Sequence, residues 1–261
     1  MSILDQLSDH ARARTQRAQT IIPAPEMRNN AFSLPKGNFA FENALKTPEL
    51  SFICECKKAS PSKGLIAPEF PYLQIAKEYE TAGADAISVL TEPKWFLGSD
   101  DYLKEIASQV SVPCLRKDFT IDEYMIYEAK LLGASAVLLI CSILSPSQLG
   151  EYKALCDELG LSALVEAHDE AEIQMALTAG ARVVGVNNRN LKDFTVDTDN
   201  SRRLRSLLPP DVLFVSESGV KNAEDVAALR GIGADAVLVG ETLMRATDKR
   251  AKLQELKGLH S

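Results

Sequence analysis

The chain has 261 residues, 46% of them hydrophobic and 25% charged, which is the composition of a globular protein. Its 29 basic and 36 acidic residues give a formal net charge of −7, which disfavours the basic surface of a nucleic-acid-binding protein. The longest nearly apolar stretch, Ala134 to Leu144, is shorter than the roughly 20 residues of a membrane-spanning helix. We therefore expect neither a nucleic-acid partner nor a membrane partner.

The cysteines and the first residues predict a cytoplasmic protein. An odd number of thiols inside apolar runs, without a C-x-x-C pair, is typical of small core residues in a reducing compartment. The five thiols are Cys54, Cys56, Cys114, Cys141 and Cys156. The N-terminal stretch lacks an uninterrupted apolar segment and carries Asp5 and Asp9, so we expect no secretory signal.

Residues 1–47 precede the first predicted strand and need a separate interpretation. Apolar side chains repeat there at helical spacing, at Ile3, Leu4, Leu7 and Ala11. Pro23 and Pro25 would end such a helix. We predict an N-terminal helical extension that packs on the rest of a single domain, 1–261, and is not a domain of its own.

Eight short apolar runs follow, and they predict the fold. A Gly-Ala pair opens four of them at near-regular spacing, at Gly83, Gly133, Gly180 and Gly233. One further run lies inside each interval, and SFICECK precedes the first pair. Because the runs are almost continuously hydrophobic and alternate with amphipathic stretches, they indicate parallel strands covered by helices. We predict a (β/α)8 TIM barrel; an open doubly wound sheet is the alternative, disfavoured by the lack of a G-x-G-x-x-G segment after the first strand.

Glu55 and Lys57 lie two residues apart in the first run. Strand alternation places both on one face and the apolar Phe52, Cys54 and Cys56 on the other. The apolar face suits the helices, so we expect the charged pair to point into the barrel. A buried ion pair with no other role is the simpler interpretation.

Other runs also end in polar side chains, which favours a shared site over isolated ion pairs. Catalytic groups in these barrels lie at the carboxyl ends of strands. The polar residues at the predicted ends are Lys117, Glu166, Asn187, Arg189, Ser216 and Ser218. Because charged and amide groups are costly to bury unpaired, their repeated placement predicts one convergent polar site.

Two glycine-containing turns predict a phosphate site at the same end. Ser218-Gly219 and Gly240-Glu241 follow the last two predicted strands. Glycine lets the backbone approach a ligand, and the N–H groups of a helix N-terminus bind anions. Each glycine alone is also compatible with an ordinary turn.

Two loops and the histidines complete the candidate residues. The loop from Lys58 to Pro68 could close over the site or be a solvated connection. Trp95 and Phe96 could form an apolar wall for an aromatic ring or anchor their own loop. The histidines, His10, His168 and His260, lack ligand spacing, so we expect no metal site. We interpret His168 as part of the solvated start of the helix after the fifth strand.

These blocks resemble the indole-3-glycerol-phosphate synthase family. FICECKKASPSKGLI from Phe52 to Ile66 is the most specific of them. The others follow in the same order and are KDF from Lys117 to Phe119, VE ending at Glu166, GVNNRNL from Gly185 to Leu191, SESG from Ser216 to Gly219, and LVGE from Leu238 to Glu241. The resemblance extends over the whole chain, including the N-terminal arm, and no fused isomerase domain is expected.

The resemblance implies a decarboxylating lyase of tryptophan biosynthesis that closes the indole ring of a phosphorylated substrate. It implies Lys117 as the acid of ring closure, with a pKa lowered by a nearby cation and by burial. Lys57 and Glu55 would be the acid and base of dehydration, Glu166 would stabilise positive charge, and Asn187 would hold a hydroxyl group. No cofactor is expected, because the iminium formed on ring closure is an internal electron sink.

The resemblance also implies a substrate-binding set. Ser60 and Arg189 would lie near the substrate carboxylate or the closing loop, and Trp95 and Phe96 would flank the aromatic ring. Phe119 belongs to the same substrate-binding set. Phosphate would be bound by Ser218, Gly219, Gly240 and Glu241, the last three through backbone N–H groups. We expect a monomer or weak homo-oligomer. A Schiff-base aldolase using Lys117 or Lys57, and a non-catalytic phosphate-binding barrel, remain alternatives.

Overall fold

The computed structural model describes residues 2–190 and 194–259, and these form a closed barrel of eight parallel strands. Each strand pairs with its neighbours in chain order, and the first strand closes on the last through the register Ser51 to Ala236. The strands are β1 (Ser51–Cys56), β2 (Ala86–Leu90), β3 (Cys114–Lys117), β4 (Ala136–Ile140), β5 (Ser162–Ala167), β6 (Val183–Asn187), β7 (Leu213–Glu217) and β8 (Ala236–Val239). The predicted (β/α)8 barrel is confirmed, and the open sheet is not formed.

Helices precede the barrel and follow each of its strands. The helices are α1 (Ile3–Ile21), α2 (Ala24–Ser33), α3 (Ala40–Leu45), α4 (Tyr72–Thr81), α5 (Asp100–Gln109), α6 (Glu123–Leu131), α7 (Pro146–Leu159), α8 (Glu170–Thr178), α9 (Asp199–Arg205), α10 (Ala223–Gly231), α11 (Glu241–Arg245) and α12 (Lys249–Lys257). A short 3₁₀ turn, Cys141–Ile143, follows β4. In the loop after β1, Ala59–Ser60 pairs antiparallel with Gly64–Leu65. None of the helices within residues 2–190 and 194–259 combines the length and apolar character needed to cross a membrane.

Strand alternation divides the core into two layers. In β1, Phe52 and Cys54 belong to the layer between the strands and the helices, together with Ile75 and Tyr79 of α4. Ile53 points the other way and packs inside the barrel. The predicted facing of β1 is therefore correct, and it directs the side chain of Glu55 to the interior.

The N-terminal extension contacts both ends of the barrel. At the carboxyl ends of the strands, the Arg14 guanidinium of α1 donates two hydrogen bonds, 2.7 and 3.2 Å long, to the Asp118 carboxylate after β3. His10 lies 3.0 Å from Glu92 after β2. At the opposite end, Phe41 and Leu45 of α3 are fully buried in the inner layer. The extension thus covers the mouth with α1 and closes the base with α3.

The base of the barrel provides a test of this packing. We expect Leu45→Ala to lower the free energy of unfolding by about 2–5 kcal/mol, because it leaves a cavity in the inner layer. Leu34→Ala is the matched control, since Leu34 is 40% exposed, and it should change stability by less than about 1 kcal/mol. Urea unfolding of both variants measures the difference, and equal losses would show that α3 does not close the barrel.

Candidate active site

A cavity of about 610 Å³ opens at the carboxyl ends of the strands, which is the size of a small-molecule site. All but two of the site residues predicted from the sequence, Trp95 and Ser216, line it. The predicted residues that line it are Glu55, Lys57, Ser60, Phe96, Lys117, Phe119, Glu166, Asn187, Arg189, Ser218, Gly219, Gly240 and Glu241. The barrel brings them together because parallel strands end at the same rim. Ile3 and Leu7 of α1 complete the lining from above.

Charged side chains form a compact cluster at the floor of this cavity. The Lys117 ammonium lies 3.4 Å from Glu217 Oε2 and 3.9 Å from both Glu55 Oε2 and Glu166 Oε2. Lys57 Nζ lies 2.5 Å from Glu55 Oε1. The three carboxylates are buried, and the two lysine side chains are less than one-fifth exposed. Two cations therefore face three buried carboxylates.

This cluster reverses the pKa shift expected for Lys117. Burial by itself lowers the pKa, but the charges of Glu217, Glu55 and Glu166 outweigh it, so the pKa is raised above its ordinary value. Lys57 shares the Glu55 carboxylate with Lys117, but the three carboxylates have the larger effect on the Lys117 ammonium. Lys117 therefore carries a full positive charge in the free protein at neutral pH.

Glu217 is the residue of this cluster that sequence reasoning missed. Ser216 and Ser218 were selected from β7, but the Ser216 hydroxyl points behind the sheet, 2.8 Å from the Ser201 hydroxyl. Glu217 points into the barrel, where burial and then the charges of Glu166 and Glu55 outweigh the Lys117 ammonium and raise its pKa. Strand alternation would have found it, because Val215 and Glu217 share a face as Ile53 and Glu55 do.

Two glycines make room for the carboxylates. A Cβ atom at Gly185 of β6 would lie 2.1 Å from Glu217 Oε1. A Cβ atom at Gly240 would lie 2.3 Å from Glu55 Oε1 and 2.8 Å from Lys57 Nζ. Real carbon atoms do not approach oxygen this closely, so a side chain at either position would displace a charged group. Gly240, predicted as a phosphate contact, is thus also needed by the charged cluster.

Glu166 is held by neighbours on three sides. Its Oε1 lies 3.3 Å from His168 Nε2, its Oε2 faces Lys117, and its carboxylate accepts a hydrogen bond from the Asn187 side chain. Burial raises its pKa, but these contacts outweigh burial and lower the pKa below the ordinary value. The position of His168 corrects the earlier interpretation, because its side chain is 19% exposed and faces the cavity residue Glu166, not solvent.

Asn187 and Ser218 are fixed to one another at the rim. Asn187 Oδ1 accepts hydrogen bonds from the Arg189 N–H at 3.0 Å and from the Ser218 hydroxyl at 2.9 Å. Both acceptor positions of this amide are thereby used, which leaves its nitrogen as the group that donates to Glu166. The Arg189 guanidinium donates to the Phe194 carbonyl at 3.2 Å, across the loop after β6.

Basic side chains gather at the glycine-rich end of the cavity. Glu241 Oε1 lies 3.0 Å from Arg245 Nε and 3.5 Å from Lys63 Nζ, so it pairs with two cations. Lys63 belongs to the loop after β1, and it lines the cavity together with Lys221 and Arg245. None of these three cations was selected from the sequence, because single basic residues in loops have no distinctive spacing.

An aromatic wall lies on another side of the cavity, and it differs from the predicted one. The rings of Phe96 and Phe119 pack with centroids 6.0 Å apart. Trp95 does not line the cavity; its ring meets the His10 ring of α1 edge-on at 5.4 Å. The Glu92 carboxylate accepts the N–H groups of Trp95 and Phe96, which fixes a tight turn. That turn directs the two neighbouring rings to different places.

Metal ligands are not evident in the described ranges. Across residues 2–190 and 194–259, no three His, Cys, Asp or Glu side chains are arranged to hold a metal ion. Leu191, at the end of the GVNNRNL block, and His260 lie outside the described residues.

Comparison with known proteins assigns the chain to a family. A family model described as indole-3-glycerol phosphate synthase matches residues 4–256. The chain belongs to the indole-3-glycerol phosphate synthase family. Its relative of that name from Ruminiclostridium cellulolyticum is 58% identical, with 98% of this chain and 99% of the relative covered. The one from Leuconostoc mesenteroides is 59% identical, with 84% of this chain and 85% of the relative covered.

Solved structures of other proteins share only the fold. The 3-hexulose-6-phosphate synthase from Salmonella typhimurium superposes with a TM-score of 0.67 at 14% identity, covering 80% of this chain and 98% of that one. Thiamine phosphate pyrophosphorylase from Pyrococcus furiosus superposes with a TM-score of 0.61 at 16% identity, covering 80% and 94%. The barrel is thus common to proteins with different names, and residues in the cavity must distinguish them.

The contact between Gly185 and Glu217 gives a prediction for this family member. We expect Gly185→Ala to lower the turnover of the family reaction by at least about tenfold, because the new methyl group displaces the Glu217 carboxylate from Lys117. Gly150→Ala is the matched control, since nothing lies within 4 Å of its Cβ position in α7, and it should keep full turnover. Indole fluorescence measures the rates, and equal rates would show that Glu217 does not need its position.

Proposed function

We propose that the chain uses this cavity for the reaction of its family. The reaction converts 1-(2-carboxyphenylamino)-1-deoxy-D-ribulose 5-phosphate into indole-3-glycerol phosphate, with loss of carbon dioxide and water, in tryptophan biosynthesis. The observation that carries this proposal is the Lys117 ammonium held among Glu55, Glu166 and Glu217, between a basic end and an aromatic wall. A substrate with a phosphate at one end and a benzoate at the other has the matching shape.

Substrate binding uses the two ends of the cavity. Phosphate binds at Ser218 and at the backbone N–H groups of Gly219, Gly240 and Glu241. Lys63 and Arg245 supply positive charge there, which a protein of net charge −7 must place locally. Phe96 and Phe119 contact the aromatic ring, whose burial contributes to affinity.

The carboxylate end of the substrate lies near Arg189 and Ser60. Trp95 contacts His10 of α1 behind the wall formed by Phe96 and Phe119, and it does not touch the aromatic ring of the substrate. Asn187 holds a substrate hydroxyl group with the geometry that Ser218 and the Arg189 backbone impose on its amide.

Ring closure begins with Lys117. The ring carbon that bears the carboxylate attacks the ketose carbonyl carbon, and the Lys117 ammonium gives its proton to the carbonyl oxygen. A donor must hold its proton before the step, and the surrounding carboxylates ensure that Lys117 does. The nitrogen lone pair forms an iminium, and Glu166, held as an anion, stabilises that positive charge. The C–CO₂ bond then breaks, and its electron pair neutralises the iminium.

Dehydration uses Glu55 of β1 and Lys57, which directly follows that strand. Lys57 protonates the leaving hydroxyl group. Glu55 accepts the ring proton whose loss completes the aromatic indole. Lys57 Nζ and Glu55 Oε1 are 2.5 Å apart, so both proton transfers take place at the end of the same strand. Glu217 lies 3.4 Å from Lys117, and its raised pKa suits the return of a proton to that lysine between turnovers.

The charge of Lys117 speaks against the aldolase alternative. A Schiff base forms from a neutral amine, and the carboxylates around Lys117 favour the ammonium form. Borohydride treatment with a ketose phosphate should therefore leave no permanent adduct on Lys117 or Lys57. An adduct on either lysine would support the aldolase.

The setting of the enzyme follows from fewer observations. All five thiols are buried and unpaired, which supports a reducing, cytoplasmic location. A monomer or weak homo-oligomer stays our prediction for the active form.

The proposed roles of Glu166 and Lys117 can be tested by substitution. We expect Glu166→Gln and Lys117→Ala each to lower kcat by about 10²–10⁴, because each removes a charge that the reaction requires. Lys104→Ala, at an exposed position of α5, is the control for removing a lysine and should keep wild-type kcat. Indole fluorescence follows turnover, and circular dichroism verifies folding. A folded variant with near-normal kcat would disprove the role of its residue, and a wild-type protein without turnover would support a mere phosphate binder.

The basic end of the cavity predicts competition by phosphate. Inorganic phosphate should raise the KM for the substrate without changing kcat, because it occupies the same backbone N–H groups. Steady-state kinetics at several phosphate concentrations, with chloride at matched ionic strength as the control, measures the effect. A fall in kcat at constant KM would place the phosphate site elsewhere.

A further inference from the structure

His168 connects the cavity to a carboxylate outside it. The residue follows β5, and its side-chain Nε2 lies 3.3 Å from Glu166 Oε1. Its Nδ1 lies 3.0 Å from Glu172 Oε2 in the first turn of α8. The same Glu172 oxygen accepts the His168 backbone N–H at 2.8 Å. The imidazole is thus held between two carboxylates, one of them lining the cavity.

Other groups around this row fix it further. The Asn200 side chain donates to the His168 carbonyl at 3.2 Å, and the Asp169 carboxylate caps α8 by accepting the Glu172 N–H at 2.9 Å. Cys141 lies behind Glu172 and donates to its carbonyl. On the cavity side, Glu166 faces Lys117 at 3.9 Å. The charged groups around the imidazole are thus the carboxylates of Glu166, Glu172 and Asp169 and the Lys117 ammonium, with the Arg203 guanidinium beyond Asn200.

We propose that His168, oriented by Glu172, is a positioning residue that holds the Glu166 carboxylate in place and in its anionic form. This inference rests on the proposed role of Glu166 in stabilising the iminium. His168 does not line the cavity, so it acts through Glu166 and not on the substrate. A row of carboxylate, imidazolium and carboxylate fixes the orientation of the ring by two charge-assisted contacts.

The contacts of the His168 side chain are not required to cap the N-terminus of α8. The N-cap of that helix is Asp169, which already accepts the Glu172 N–H. Glu172 could hold the His168 backbone without any imidazole, yet the ring extends from it toward the active site. Nε2 is buried and has no hydrogen-bond partner among the described residues, and Glu166 Oε1, 3.3 Å away, is its ion-pair contact. Buried polar atoms normally have a partner, so the approach of Nε2 to this one carboxylate indicates that the imidazole acts on Glu166.

The charge states agree with this geometry. Burial lowers the pKa of His168, but Glu166 and Glu172 outweigh it and raise the pKa to about 10. The imidazolium is therefore present below about pH 10 and is lost as the pH rises through that value. Glu166 has a lowered pKa, so it stays ionised until the pH falls well below neutral. Both charges persist over the neutral range.

Two substitutions of His168 separate its contacts. Asn can replace the Nδ1 contact to Glu172 but does not reach Glu166, whereas Gln places an amide nitrogen near the Nε2 position. We expect His168→Asn to lower kcat by about tenfold or more with KM changed less than about threefold, and His168→Gln to recover part of the loss. The acid limb of the kcat profile should move to higher pH in His168→Asn, because Glu166 loses a positive neighbour.

Glu172→Gln tests the contact between Glu172 and His168 and leaves the imidazole itself in place. It removes one carboxylate from His168 and should lower the pKa of the ring, so kcat should begin to fall at a lower alkaline pH. Glu170→Gln is the matched control, since Glu170 is exposed in the same helical turn, and it should keep the wild-type profile. This pair carries the test if His168→Asn does not fold.

A double variant distinguishes failure of this inference from failure of the proposed Glu166 role. If Glu166→Gln keeps near-normal kcat, the role of Glu166 itself is wrong. If Glu166→Gln lowers kcat but leaves a measurable rate, and His168→Asn adds no further loss to it, His168 acts through Glu166 as proposed. The inference is overturned if folded His168→Asn retains wild-type kcat and acid limb, if its loss multiplies with that of Glu166→Gln, or if Glu172→Gln matches Glu170→Gln.

Discussion

The ammonium of Lys117 and its three carboxylates are the constraint on which the rest of the structure depends. An isolated charge in a barrel would be costly, and each of these groups is tolerated only because the others surround it. The cluster draws Glu55 from β1, Glu166 from β5 and Glu217 from β7. Closure of the sheet is therefore a condition of the chemistry, since only a closed barrel makes these strand ends converge.

Neighbouring residues serve this cluster by providing space, orientation and cover. Gly185 and Gly240 provide the space in which Glu217 and Glu55 lie. Asn187, fixed by Ser218, contributes orientation at Glu166. Helix α1 provides the cover, held to the rim by Arg14 and Asp118 in a contact that is largely buried. Apolar residues of that helix then face the cavity, so water reaches the charges from fewer directions.

The distribution of cations explains how an acidic chain can accept a phosphorylated substrate. At the rim, Lys63 and Arg245 both pair with Glu241. Positive charge is therefore concentrated at that end of the cavity although the protein as a whole is acidic. An arriving anion competes with one carboxylate for two cations. The floor of the cavity has the opposite balance, with more carboxylates than lysines, which suits a reaction that develops positive charge on the substrate nitrogen.

The sequence by itself determined the barrel and the strand ends, because the hydrophobic period and the polar residues at the ends of the runs can be read from the order of residues alone. The family followed from the resemblance of the motif blocks, above all FICECKKASPSKGLI. Strand alternation placed Glu55 correctly, and the same rule would have found Glu217. Three features needed the tertiary structure: the direction of the Lys117 pKa shift, the turn that separates Trp95 from Phe96, and the contact of His168 with Glu166. Each depends on distances between atoms of different strands, helices or loops, which the order of residues along one chain does not contain.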